Sequence, residues 1–211
     1  MPPLTVQVPA TVTNLGPGFD VLGVALTLYN QVELEELPWG LSIQVEGEGE
    51  KELPQDETNI AYQAVREAYR RAGRELPGLW MKQRNHIPLA RGLGSSAAAR
   101  VAGLVGANEM MGRPLSEEDL LAMAAAMEGH PDNVLPALKG GLCVAALAEG
   151  GQVRYAQAPL SARFQFVLAI PGFSVETERA RAVLPREVPL AASVFNLQRL
   201  GLLLGALGEG R

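Results

Sequence analysis

Several features are scarce or missing in this sequence of 211 residues. It has one cysteine, Cys143, so no disulfide can form within the chain, and the apolar stretch GGLCVAALA around it predicts a buried strand residue. No run of basic residues occurs and the net charge is −5, which argues against non-specific nucleic-acid binding. A nucleic-acid partner is therefore not expected.

Signals for membrane targeting are also missing. The N-terminal stretch MPPLTVQVPA lacks a basic region followed by a long apolar one, so no signal peptide is expected. No apolar stretch reaches the roughly 20 residues of a membrane span. We therefore expect a cytoplasmic protein with no membrane partner.

The hydrophobic patterns that are present predict a mixed α+β chain. Three N-terminal segments are expected to form an antiparallel sheet: 4–8, 21–35 and 41–49. Further strands are expected at 79–84, 141–148, 152–157 and 164–170. Helices are expected within 56–73 and near 95–111, 117–128, 176–183 and 190–206, several of them ended by a glycine.

The stretch IPLARGLGSSAAAR, residues 87–100, places a glycine-rich turn before an alanine-rich helix. A P-loop would need a lysine after its last glycine, and none is present. The pattern G-x-G-x-x-A of a dinucleotide site is present, but four residues separate it from the preceding strand, which is the wrong context. Exposed amides at a helix start still favour a phosphate. The alternative is a serine-capped helix of small residues packed in a core.

Two further polar clusters stand out from the apolar background. One is PATVTNLGPGFDVLG, residues 9–23, with Asn14 and Asp20; the other is EGHPDN, residues 128–133. Either could be only a turn or a helix cap. All three motifs together supply a phosphate cradle, a carboxylate for a divalent ion and polar groups for a small substrate, which are the parts needed for phosphoryl transfer.

These three motifs closely resemble those of the homoserine kinases in the GHMP kinase superfamily. The resemblance implies an N-terminal ATP-binding domain over residues 1–158, like the second domain of ribosomal protein S5, with a left-handed β-α-β crossover. A ferredoxin-like GHMP kinase C-terminal domain would follow over 159–211. Members of this family are longer and carry a further glycine-rich motif and a second substrate arginine. The second domain is therefore expected to be truncated, and activity to be weak or absent.

The resemblance also implies a set of nucleotide contacts. The loop around the ATP phosphates would consist of Pro88, Leu89, Ala90, Arg91, Gly92, Leu93, Gly94, Ser95, Ser96, Ala97 and Ala98. Ser96 and Glu128 would hold Mg²⁺, which needs few protein oxygens beside those of phosphate and water. Asn59 would lie near the adenine.

For the substrate, L-homoserine, the resemblance implies contacts at both charged groups. Arg181 would bind the carboxylate through two N–H groups of its guanidinium. Thr177, one helical turn earlier, would also contact the substrate. Without the resemblance, the sequence would not decide whether Arg181 or Arg179 binds the carboxylate. Asp20 would pair with the ammonium.

The remaining polar residues are expected around the same substrate: Asn14, His130 and Asn133. Asp132 lies where several GHMP kinases place a catalytic base, although the reaction could also proceed without one. For His130 a hydrogen-bonding role is favoured over general-base catalysis.

The implied activity is ATP-dependent phosphorylation of L-homoserine to O-phospho-L-homoserine, a step towards threonine. Two alternatives remain open: another small-molecule kinase of the superfamily, or a module that binds nucleotide or amino acid without turnover. The expected strands of the second domain are too few to cover the leucines of LQRLGLLLGALG, which would then face water. A homodimer with residues 190–207 in its interface is therefore expected.

Overall fold

The computed structural model describes residues 3–173 and 177–211, and for residues 177–179 it describes the backbone only. The strands are β1 (Leu4–Thr13), β2 (Leu22–Glu36), β3 (Gly40–Gly47), β4 (Gly78–Asn85), β5 (Leu142–Leu147) and β6 (Val153–Ala158). The helices are α1 (Ile60–Arg71), α2 (Ser95–Met110), α3 (Glu117–Glu128), α4 (Pro131–Lys139), α5 (Thr177–Ala182) and α6 (Leu190–Glu209).

The strands form one mixed sheet in the order β3-β4-β2-β5-β6, with β1 beside β2. The long strand β2 is antiparallel to β1, β4 and β5, but β3 and β4 are parallel. The expectation of an antiparallel sheet is therefore wrong for β3. Helix α1 connects β3 to β4, and a helical crossover returns the chain in its original direction, which is what a parallel pair requires.

Helix α2 packs closely against both α1 and the sheet. A Cβ atom on Gly103 would lie 2.3 Å from the carbonyl oxygen of Ala61 in α1, and one on Gly106 would lie 2.0 Å from Leu34 Cδ1 in β2. A side chain on Gly103 would therefore clash with the backbone of α1, and one on Gly106 would force the buried Leu34 side chain to move. The close packing holds α2 against α1 and β2.

Most helix boundaries follow the sequence signals. Ser116 and Asp119 form the capping box predicted at the start of α3, and α3 ends at Gly129, whose φ is 90°. Helix α4 was not among the predicted helices, since residues 131–133 indicated only a helix cap. Pro131 at its first position has a φ suited to a helix start, where the missing N–H costs nothing.

The chain after β6 differs most from the expectation. No strand forms over residues 164–170, although the segment is apolar; in this structure its residues are largely exposed and no described strand pairs with it. Among the described residues after Ala158 only α5 and α6 are regular. An apolar run becomes a strand only where a neighbouring strand accepts its hydrogen bonds.

Helix α6 contacts the rest of the molecule over part of one side. Leu204 and Leu207 pack against the core, whereas Leu190, Leu197 and Leu202 are exposed. By length and composition alone this helix could cross a membrane, contrary to the expectation from the sequence. A single such helix is a weak indication of a membrane protein.

Candidate functional site

A cavity of about 650 Å³ lies where the glycine-rich loop meets the ends of α2, α3, α4 and α5. The expected site residues that line it are Asn14, Asn59, Pro88 to Ser96, Glu128, His130, Asp132, Asn133 and Arg181. Ala97 and Ala98 are fully buried in α2 behind the loop. Asp20 lines an adjoining hollow of about 450 Å³ that shares His130 and Arg181 with the cavity.

The glycine-rich loop is fastened at both ends by neighbouring strands. The side-chain oxygen of buried Asn30 accepts hydrogen bonds from the backbone N–H groups of His86 and Ile87, at 2.8 and 2.9 Å. At the other end, the N–H of Thr11 donates to the carbonyl of Leu93 at 3.1 Å. Hydrogen bonds therefore attach the two ends of the loop to β2 and β1.

Gly94 is required where the loop enters α2. Its φ is 68°, in the left-handed region, and a Cβ there would lie 2.0 Å from Thr11 Oγ1. Gly94 offers no side chain to cap α2, and Ser96 does not cap the helix either. The first N–H groups of α2 thus have no side-chain acceptor from the N-cap position, which suits an anion at this helix start.

The Ser96 hydroxyl is directed towards the end of α3. It donates to Glu128 Oε1 at 2.7 Å, and the other carboxylate oxygen of Glu128 accepts from Arg100 Nη1. Only 9% of the Glu128 side chain and 19% of the Arg100 side chain are exposed. Arg100 was not among the residues expected at the site.

Ser96 and Glu128 are chemically suited to a magnesium ion shared with phosphate. They present two hard oxygen atoms 2.7 Å apart at the wall of the cavity. The described side chains, those of residues 3–173 and 180–211, include no cluster of three or more acidic, histidine or cysteine groups that could hold a metal ion alone. Magnesium usually keeps several waters and takes one or two protein oxygens beside substrate phosphates, so this pair fits it.

His130, Asp132 and Asn133 form a hydrogen-bonded chain at the start of α4. His130 Nδ1 donates to Asp132 Oδ1 at 2.6 Å, and the same oxygen accepts the backbone N–H of Asn133 at 3.1 Å. Asn133 Oδ1 in turn accepts from the Thr11 hydroxyl at 2.8 Å. The hydrogen bond to Asp132 is the main reason that the pKa of His130 is raised above 6.5. With 1% of its side chain exposed, Asp132 is placed to orient the imidazole.

Asp20 and Arg181 form a two-point ion pair between the loop after β1 and α5. The guanidinium donates from Nη1 to Oδ2 at 2.8 Å and from Nη2 to Oδ1 at 2.5 Å, and these bonds raise the pKa of Arg181. The Phe19 ring lies 5.4 Å from the guanidinium carbon. Asn14 Oδ1 accepts the N–H of Asp20 at 2.8 Å and so holds the carboxylate in position.

For two expected residues, Asn59 and Thr177, the structure shows no side-chain group that is free to contact a ligand among the described atoms. Asn59 lines it, but its side chain caps α1 by accepting from the N–H groups of Ala61 and Tyr62, and it donates to the Pro54 carbonyl. Its amide is thus occupied by protein groups. Thr177 begins α5, and its side chain lies outside the described part of the chain.

The sequence motifs did not point to Thr11, Asn30 and Arg100. Arg100 could have been found, because it follows Ser96 by four residues and therefore lies on the same helix face. Thr11 and Asn30 carry no comparable signal, since each acts on a loop more than 50 residues away in sequence.

The fold and the glycine-rich loop are those of the GHMP kinase class. The family model described as the GHMP kinases N terminal domain matches residues 59–141. Homoserine kinase from Petrotoga mobilis is 45% identical over 204 residues, 97% of this chain and 66% of that protein. Homoserine kinase from Moorella thermoacetica is 46% identical over 205 residues, 97% of this chain and 69% of that protein. This chain belongs to the homoserine kinase family.

A solved structure agrees with the sequence relatives. The crystal structure of homoserine kinase from Cytophaga hutchinsonii superposes with a TM-score of 0.82 at 29% identity, over 100% of this chain and 69% of that one. The chain thus has the GHMP kinase fold, with a mixed α+β sheet, and spans about two thirds of the length of the relatives that it matches.

Proposed function

We propose that this protein transfers the γ-phosphoryl group of ATP to the side-chain hydroxyl of L-homoserine, with Mg²⁺ as the cofactor. The observation that carries the proposal is one cavity lined by three parts: a fixed glycine-rich loop at a helix start, the Ser96–Glu128 oxygen pair, and a polar group that includes His130 and Arg181. Each part corresponds to one reactant of phosphoryl transfer to an amino-acid alcohol. The similarity to homoserine kinases favours homoserine among such alcohols.

The nucleotide would be held by the loop Pro88 to Ser96, whose glycines let backbone N–H groups approach the phosphates. Mg²⁺ bound by Ser96 and Glu128 would neutralise charge that develops on the transferred phosphoryl group. Asn59 would contribute to the wall on the adenine side through its packing, because its amide is already hydrogen-bonded within the protein.

The amino acid would be bound by exchange of an existing ion pair. Arg181 would release Asp20 and take the substrate carboxylate, while Asp20 would take the ammonium group. Asn14, His130 and Asn133 would hydrogen-bond around the substrate, and we assign Thr177 to the same site. A substrate with only one of the two charges would leave a half-buried partner unpaired, which is costly.

In the chemical step, the substrate hydroxyl oxygen would form a bond to the γ-phosphorus as the bond to the bridging oxygen breaks and ADP leaves. The hydroxyl proton would pass to a γ-phosphate oxygen. Asp132 is engaged by His130 and nearly inaccessible, which favours a positioning role over that of a base. Positioning and charge neutralisation would then supply most of the rate.

We also propose a domain boundary, a homodimer and a cytoplasmic location. The boundary at 158/159 follows the last residue of β6. Self-association is favoured by the exposed apolar side chains of α6, such as Phe195, Leu197 and Leu202, at 57%, 65% and 71% exposure.

A coupled ADP-release assay with L-homoserine, mevalonate, shikimate and L-serine tests the proposed function. We expect ADP release above the ATP-only background with L-homoserine and little such release with the others. Release that is fastest with mevalonate would identify another kinase of the class. Tight ATP binding without turnover on any of the four would leave only a binding function.

A further inference from the structure

Arg100 lies one turn after Ser96 on α2 and contacts the same carboxylate. Ser96 donates to Glu128 Oε1, and Arg100 Nη1 donates to Oε2, so both carboxylate oxygens already have a protein partner. Because little of either charged side chain is exposed, solvent and salt screen this pair only weakly.

The pair leaves the metal position without net attraction for a cation. The Arg100 guanidinium cancels the charge of Glu128, and a divalent ion approaching the carboxylate would meet a like charge close by. Of the other acidic side chains that line the cavity and the adjoining hollow, Asp20 is neutralised by Arg181, and the buried Asp132 faces His130 and the N–H of Asn133. Nucleotide phosphates would supply the missing negative charge.

We propose that Arg100 is a positioning residue for Glu128 that keeps the nucleotide-free site neutral, so that the divalent cation enters with the nucleotide and not before it. The proposal rests on the proposed kinase function. It gives Arg100 two effects: it fixes the carboxylate with Oε1 towards Ser96, and it suppresses metal binding in the absence of phosphate.

Mn²⁺ binding to the nucleotide-free protein, followed by electron paramagnetic resonance, tests this directly. Arg100→Met removes the charge and keeps much of the apolar stem, whereas Arg100→Lys keeps the charge and serves as the matched control. We expect weak binding to the wild type and the Lys variant, and binding at least about tenfold tighter to the Met variant. The double variant Arg100→Met with Glu128→Gln should lose the gain, which would locate it at Glu128.

A merely structural role for Arg100 would not create metal affinity. The proposal is overturned if Mn²⁺ binds the Met variant no more tightly than the wild type, or if the double variant retains the gain. Should Arg100→Met fail to fold, Arg100→Gln carries the same expectation. Since the titration uses neither ATP nor L-homoserine, its result is separate from that of the ADP-release assay, which tests the proposed function.

Discussion

Asp20 and Arg181 are 161 positions apart in the chain and meet in a two-point ion pair, with donor–acceptor distances of 2.8 and 2.5 Å. Both side chains are about one third exposed, at 35% and 38%. The pair places one negative and one positive group at the edge of the cavity that the glycine-rich loop lines. An α-amino acid, with its ammonium and carboxylate, is complementary to this arrangement.

Replacing Arg181 by lysine should impair substrate binding selectively. Lysine keeps the charge but cannot donate two parallel hydrogen bonds to a carboxylate. We therefore expect KM for L-homoserine to rise by about tenfold or more, while ATP binding is nearly unchanged. Initial-rate kinetics with each substrate varied would measure this, with Arg186→Lys at an exposed position as the control. An equal loss of affinity for ATP would place Arg181 in the nucleotide site.

Replacing Glu128 by glutamine should remove most of the activity. Glutamine preserves an acceptor for Ser96 but removes the charge near Mg²⁺, so we expect kcat/KM to fall by about 100-fold or more, the scale of a lost electrostatic contact in a transition state. Glu118→Gln, an exposed change on the same helix, should have no such effect. Turnover at the wild-type rate in Glu128→Gln would refute the metal assignment.

His130 should titrate above its ordinary pKa. Its imidazolium is favoured by the hydrogen bond to Asp132, so the stability from this pair is fully present below pH 6.5 and is lost as pH rises through the raised pKa of His130. Proton NMR can follow this, because the chain has only two histidines and a His86→Gln variant assigns the signals. Asp132→Asn should lower the pKa of His130. No change in that variant would contradict the proposed orientation.

Helix α6 should mediate self-association. Leu202 is 71% exposed, and a glutamate there would place a charge in a buried interface, so Leu202→Glu should convert the dimer to monomer. Sedimentation at tens of micromolar would show this change. Trp39→Glu alters another highly exposed apolar residue, before β3, and should leave the dimer intact. A monomeric wild type under these conditions would exclude the proposed dimer.

The sequence predicted those parts of the fold that local signals control. Ser116 with Asp119 marked the start of α3, and the apolar context of Cys143 correctly indicated a buried strand residue, whose burial raises the pKa of the thiol to about 11. The parallel alignment of β3 and β4 and the absence of a strand over 164–170 depend on which segments meet in space. Local patterns do not contain that information.

Part of the candidate site was predicted from the sequence, and part was not, because some of its contacts join segments that are distant in the chain. The motifs identified the loop, and the structure brings Glu128, His130 and Arg181 to the same cavity. The partners of these residues were not predictable in the same way. The Arg100–Glu128 and Asp20–Arg181 pairs join segments that are separate in the sequence.

Phosphorus NMR of a mixture of ATP, Mg²⁺, L-homoserine and catalytic amounts of the protein tests the central claim most directly, because it identifies the product. We expect the signals of ATP to be replaced by those of ADP and of one equivalent of a phosphomonoester, and only when L-homoserine is present. Inorganic phosphate as the sole new product, or an unchanged ATP spectrum, would contradict the assignment of homoserine phosphorylation to this chain.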